Sequence, residues 1–139
     1  MTKSLLKTKV KAYTLTEILV VLVIIGILVL LALPNLLPLI TKAKTTEAKV
    51  QLQHVYTLER GYFFEKSRFS SDLIEIGYLQ EKLSTEAKDG KANYRLEIAQ
   101  ATPSTFLAKA TAIVDFDGDG IFNVWQIDQD KNLLEVVPD

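Results

Sequence analysis

Ile18-Leu-Val-Val-Leu-Val-Ile-Ile-Gly26-Ile-Leu-Val-Leu-Leu-Ala-Leu33 is a run in which every residue is apolar or glycine. It follows Lys11-Ala12-Tyr13-Thr14-Leu15-Thr16-Glu17 and precedes Pro34. A soluble domain does not normally place this much aliphatic surface in one stretch. The chain has 139 residues, 48% of them hydrophobic and only 9% aromatic, so one domain's worth of sequence carries a strongly local apolar excess. That pattern argues against an ordinary cytosolic globule.

A cleavable secretory signal would show a small-x-small pattern after its apolar core, and Leu30-Leu31-Ala32-Leu33-Pro34 has none. A plain membrane anchor fits the length. With Leu36, Leu37, Leu39 and Ile40 the span reaches roughly 20 apolar residues, close to the ~30 Å hydrocarbon thickness at ~1.5 Å of rise per residue. The anchor leaves Glu17 unexplained. A carboxylate carried to mid-bilayer costs about 2.5 to 3.5 kcal/mol, and less at the interface, so an acid at the lip of the span points to a partner.

Charge gives the orientation. The formal charge is −1, but residues 1–12 carry Lys3, Lys7, Lys9 and Lys11 and no acid. Lys42 and Lys44 follow the span and are soon joined by Glu47, so the N-terminus is expected on the cytoplasmic side and the remainder across the membrane. Neither half resembles a nucleic-acid surface. The chain contains no cysteine, which excludes disulfides, thiolate metal sites and a cysteine nucleophile.

The string Lys11-Ala12-Tyr13-Thr14-Leu15-Thr16-Glu17, the apolar run containing Gly26, and Pro34 together resemble the processing site and N-terminal helix of type IV pilins and their pseudopilin relatives. The resemblance covers about 30 residues and departs from the usual pattern at Ala12, where the family has Gly, and at Tyr13, where it has Phe. It implies that a membrane prepilin peptidase cuts between Ala12 and Tyr13 and that the new amine of Tyr13 is methylated. It further implies that Glu17 pairs with the N-terminal amine of a neighbouring subunit during assembly. Gly26 and Pro34 match positions between which such helices unwind in the filament. Glycine lowers helix stability by ~1 kcal/mol and proline removes a backbone hydrogen bond, so weakness there has a direct physical basis, extended by Asn35 and Pro38. Gly26 also reads as a glycine tolerated in a membrane helix.

Three parts are therefore expected: a basic leader over 1–12, a membrane and assembly helix over 13–40, and an exported domain over 41–139. From Thr41 to about Lys66 an amphipathic helix is predicted, with Ala48, Leu52, Val55, Leu58 and Tyr62 at steps of three and four. His54 lacks any second soft ligand and reads as a solvated helix residue. Tyr56, Tyr62, Phe63 and Phe64 read as core aromatics. A connecting region follows over 67–83, then a turn at Asp89-Gly90. Strands are predicted over 92–99, 105–114, 122–127 and 133–137. One long helix on a small antiparallel sheet is an α+β layout, and the resemblance implies the same pilin-like fold.

Asp115-Phe116-Asp117-Gly118-Asp119-Gly120 matches the opening of a calcium loop, with carboxylates at alternate positions and a glycine for the sharp turn. Asn123 and Asp128 are further candidate ligands. Gln126 stands where an EF-hand has its bidentate Glu, and no helices flank the loop, so the EF-hand reading fails. One structural calcium ion and a metal-free turn rich in Asp and Gly both remain open. The strand running into Asp115-Phe116-Asp117-Gly118 is also similar to the first motif of haloacid-dehalogenase phosphatases, but too little chain follows for that core. No nucleophile elbow, phosphate loop or zinc pattern is present, and no enzymatic activity is expected.

The segment Asn123-Val-Trp125-Gln-Ile-Asp128 resembles the ending of cysteine-free type IV pilins. The leading expectation is a subunit of an extracellular type IV pilus, a helical homo-oligomer served by prepilin peptidase and inner-membrane assembly machinery, embedded in lipid before assembly. The alternative is a pseudopilin of a type II secretion or DNA-uptake system. The absence of an Asp-Pro-Trp-Gly-like segment favours the pilus. A membrane-anchored calcium-binding module is the third reading.

Overall fold

The computed structural model describes residues 12–138, so the basic leader up to Lys11 lies outside the described residues. Two compact units divide between Leu36 and Leu37. One helix, α1 (Leu15–Lys66), contributes to both, followed by β1 (Tyr94–Ala101), β2 (Phe106–Ala112), β3 (Val124–Asp128) and β4 (Leu133–Val137). This is the expected α+β, pilin-like layout, a long helix packed on a four-stranded antiparallel sheet.

In the first unit every residue from Ile18 to Leu33 is exposed on all sides of the helix. The segment is long and apolar enough to cross a membrane. α1 runs unbroken through Gly26, Pro34 and Pro38. The two prolines have no N–H to offer the carbonyls of Leu30 and Pro34. Next to the first of them, Asn35 donates its side-chain amide to the Leu31 carbonyl at 3.4 Å.

In the second unit α1 buries Thr45, Ala48, Leu52, Val55, Glu59 and Tyr62, alternating steps of three and four along one face. Here the expected stripe is corrected. Leu58 is only half-buried, and the position between Val55 and Tyr62 belongs to Glu59, which is fully buried. The sheet is a meander in the order β1-β2-β3-β4, and its strands turn alternate residues inward, among them Tyr94, Leu96, Phe106, Ala108, Trp125 and Ile127. The small residues Ala108, Ala110 and Ala112 of β2 leave room for the aromatic rings contributed around them. Phe69 is the link, its ring 4.8 Å from Phe63 and 5.0 Å from Phe106.

Strand ends differ from the expected ranges. Ala92 makes a parallel bridge to Leu83 rather than opening β1, which begins at Tyr94 and runs on to Ala101. Phe122 and Asn123 precede β3, because the Asn123 side chain is occupied in holding other segments together. Residues 67–83 form the expected connection with turns, and Ser67, at φ 56°, reverses the chain after α1.

Candidate functional site

At the start of α1, Ala12, Tyr13 and Thr14 are exposed and non-helical, and the helix begins at Leu15. The bond between Ala12 and Tyr13 is thus in a segment without regular structure. Thr14 and Glu17 close on each other reciprocally. The Glu17 N–H donates to Thr14 Oγ1 at 3.2 Å, while Glu17 Oε2 accepts the Thr14 N–H at 2.7 Å and its hydroxyl at 3.0 Å. This is a capping box, which satisfies two backbone donors that the first turn of any helix leaves without partners. The carboxylate also lies at the positive end of the helix dipole. Glu17 therefore has a function within its own chain that the sequence reading missed, although the Thr-x-x-Glu spacing before an apolar run is the ordinary signature of this cap. Among the described residues all hydrogen bonds to the carboxylate fall on Oε2, and Oε1 accepts none of them.

In the second unit, oxygen atoms of Asp115, Asp117 and Asp119 lie within 4.8 Å of one another. The loop organises itself around them. Asp115 accepts the Gly118 and Gly120 N–H groups, each at 2.7 Å, Asp117 accepts that of Asp119 at 3.1 Å, and Asp119 that of Ile121 at 2.7 Å. Gly118 and Gly120 sit at φ of 84° and 87°, a backbone that L side chains rarely adopt. The N–H groups of Gly120 and Gly118 hold the Asp115 carboxyl below the usual range. Phe116 anchors the loop, with its ring 5.8 Å from that of Tyr94 and the Lys44 ammonium 5.4 Å above it.

The other two candidate ligands are engaged elsewhere. Asn123 is fully buried. Its Oδ1 accepts the Tyr94 hydroxyl at 2.8 Å, and its Nδ2 donates to Glu135 at 2.8 Å and to the Val137 carbonyl at 2.9 Å. Asp128 closes the β3–β4 turn by accepting the N–H groups of Asp130 and Asn132 and the Asn132 side-chain amide, at 2.9 to 3.0 Å. Burial opposes ionisation of Asp128, but these donors outweigh it and its carboxyl falls below the ordinary range. The structure thus brings together three of the five candidate residues and gives Asn123 and Asp128 structural duties.

A second polar cluster ties α1 to the start of β1. Glu47 accepts the backbone and side-chain N–H groups of Asn93, both at 2.8 Å, and Lys44 donates to Asn93 Oδ1 at 3.2 Å. Lys49 lies 4.4 Å above the Trp125 ring, placing a helix cation against β3. His54 is exposed, with its ring 5.9 Å from Tyr78, in keeping with a helix-surface residue.

These parts define a class: an apolar helix of membrane-crossing length, capped by an acid at its N-terminus, leading into a small α+β domain of pilin-like fold. A family profile described as the prokaryotic N-terminal methylation motif matches residues 7–33. Over 72 residues the chain is 39% identical to the type IV major pilin protein PilA of Myxococcus xanthus (strain DK1622). The match covers 52% of this chain and 33% of that protein, so the chain spans about a third of the length of the curated relative it matches. The motif and the relative together make the N-terminal part of this chain similar to type IV pilins.

Proposed function

We propose that the chain is a prepilin that becomes the repeating subunit of an extracellular type IV pilus. The leader is removed between Ala12 and Tyr13, Tyr13 is N-methylated, and the apolar helices move from the lipid into the centre of a filament. The supporting observation is the helix face itself: Ile18 to Leu33 is exposed all round, next to a capped Glu17 whose Oε1 is left for a neighbour's amine. In lipid the apolar surface alone does not discriminate between helices, and a charge pair gives docking its register. The role is structural. Before assembly the N-terminus lies in the cytoplasm and the second unit beyond the inner membrane, and the partners are prepilin peptidase, the assembly machinery and further copies of the chain.

The test is mass spectrometry with N-terminal peptide mapping of material sheared from native cells. An abundant chain beginning at N-methylated Tyr13 is expected. The same processed chain confined to the inner membrane would instead identify a pseudopilin of a secretion or DNA-uptake system, and an uncut chain would leave only a membrane anchor.

Within the same reading, one structural calcium ion staples the loop 115–120, in place of a disulfide that this cysteine-free chain cannot form. Its support is the convergence of three carboxylates, hard oxygen ligands of the kind calcium takes. Calcium is expected to raise the melting temperature and protease resistance of the full chain, and Asp117→Asn with Asp119→Asn to remove that gain. Melting curves that coincide in calcium and in chelator would leave the loop held by its own N–H donors.

A further inference from the structure

Glu59 is a carboxylate in the buried stripe of α1, fully shielded from solvent. Its Oε2 accepts the Ser70 N–H at 3.1 Å, and its equally buried Oε1 has no hydrogen-bond partner. No salt bridge reaches it among the described residues. Arg68 is bonded to the Tyr62 hydroxyl at 3.2 Å and lies 3.6 Å from Glu75, while Arg60 lies over Phe63 and Phe64. The ionisable groups on the sheet's inward face, Tyr94 and Glu135, are both bonded to Asn123.

From the connecting segment the facing charge is another carboxylate. Glu75 accepts the Ser70 hydroxyl in a short hydrogen bond and the Tyr62 hydroxyl at 2.7 Å. The Asp72 N–H donates back to Ser70 Oγ at 3.0 Å, and the Asp72 carboxylate caps the Ile74 N–H at 2.8 Å. Ser70 therefore stands between two acids, its N–H on Glu59 and its hydroxyl on Glu75. Ionised, Glu59 is a buried anion with one donor and a like charge across Ser70. Neutral, it removes that repulsion and the cost of a buried charge.

We propose that Glu59 and Ser70 form an acid-strengthened latch, in which neutral Glu59 holds the segment 67–78 against α1 and its ionisation loosens that segment locally. The geometry concentrates the effect there: the chain reverses at Ser67, and Phe69 and Ser70 are both buried against the helix and sheet. Burial raises the Glu59 carboxyl above the ordinary carboxylate range, opposed by the Ser70 N–H and reinforced by Glu75. A group whose folded pKa is raised contributes stability that is fully present below its unfolded pKa and is lost as pH rises through the folded one. The latch thus weakens from the ordinary carboxylate range upward. Glu75 has the opposite sign, because the donors from Ser70 and Tyr62 lower its carboxyl.

The experiment is amide hydrogen exchange read by NMR on the full chain in detergent micelles, with the Ser70 N–H as reporter, alongside a carboxyl-carbon titration of Glu59. Between about pH 4 and pH 7 the wild-type Ser70 protection factor is expected to fall severalfold as the raised Glu59 carboxyl ionises. In Glu59→Gln, which keeps the acceptor and cannot ionise, protection is expected to stay flat. Equal pH dependence in the two proteins would overturn the latch. So would a Glu59 carbon titrating in the ordinary carboxylate range, a reading that needs no variant to fold.

Discussion

Glu17→Gln is expected to insert in the membrane and fold as the wild type does, while the yield of sheared filaments drops at least tenfold. The substitution separates two functions carried by one carboxylate. Glutamine at the third helical position still accepts the Thr14 N–H, so the capping box survives and the helix start is preserved. What is lost is the negative charge, and with it the pairing with the amine of a neighbouring Tyr13 on which the proposed docking rests. The complementary change, Thr14→Val, keeps the charge and removes the hydroxyl that accepts the Glu17 N–H. Its expected effect is a loss of about 1 kcal/mol in local helix stability and fraying of the first turn, with filaments still formed. Electron microscopy of sheared fractions, with circular dichroism of the purified chains, reads both outcomes. Abundant filaments from Glu17→Gln, together with their loss in Thr14→Val, would show that the cap and not the charge is what assembly needs.

How much of this was legible in the sequence depends on which residues decide each element. The apolar run reads as a helix of membrane-crossing length, because its sixteen consecutive residues without a polar side chain leave no face for water. The four strands were also legible, since alternation through Tyr94, Leu96 and Ile98 or through Phe106, Ala108 and Ala110 reads directly as one buried face. Glu59 was not. A periodicity argument assigns the inward position to the nearest apolar residue, which is Leu58, and a glutamate counts as surface until Ser70 is seen to meet it. The structural role of Asn123 was hidden for a similar reason. Its place after the acidic loop gives it the spacing of a cation ligand, while the partners that claim it, Tyr94 and Val137, lie 29 and 14 residues away in the chain. Spacing finds contacts made within one loop or one turn of helix, and these bonds cross the sheet.

That crossing makes Asn123 the origin of the second large effect. Asn123→Ala is expected to destabilise the second unit by about 3 kcal/mol, within the range for breaking a buried hydrogen-bond network. The loss has identifiable parts. The Tyr94 hydroxyl, on a fully buried residue, loses its bond to Asn123, the Val137 carbonyl and Glu135 lose their donor, and a small cavity opens where the buried amide stood. At roughly 4 to 8 °C per kcal/mol for a domain of this size, the melting temperature should fall by about 12 to 24 °C. Two companion variants apportion the effect. Tyr94→Phe removes the hydroxyl along with its need for an acceptor and should cost only about 1 kcal/mol. Asn123→Asp still accepts from Tyr94 but presents an oxygen to Glu135 and the Val137 carbonyl where a donor stood, so it should destabilise at neutral pH at least as much as alanine does. Protonating that new carboxyl restores a donor, and acidification should therefore recover part of the loss in Asn123→Asp and none in Asn123→Ala. Thermal unfolding of the three variants across pH reads this directly. An Asn123→Ala protein melting within about 2 °C of wild type would mean that the β3–β4 end of the sheet is held by its apolar contacts alone.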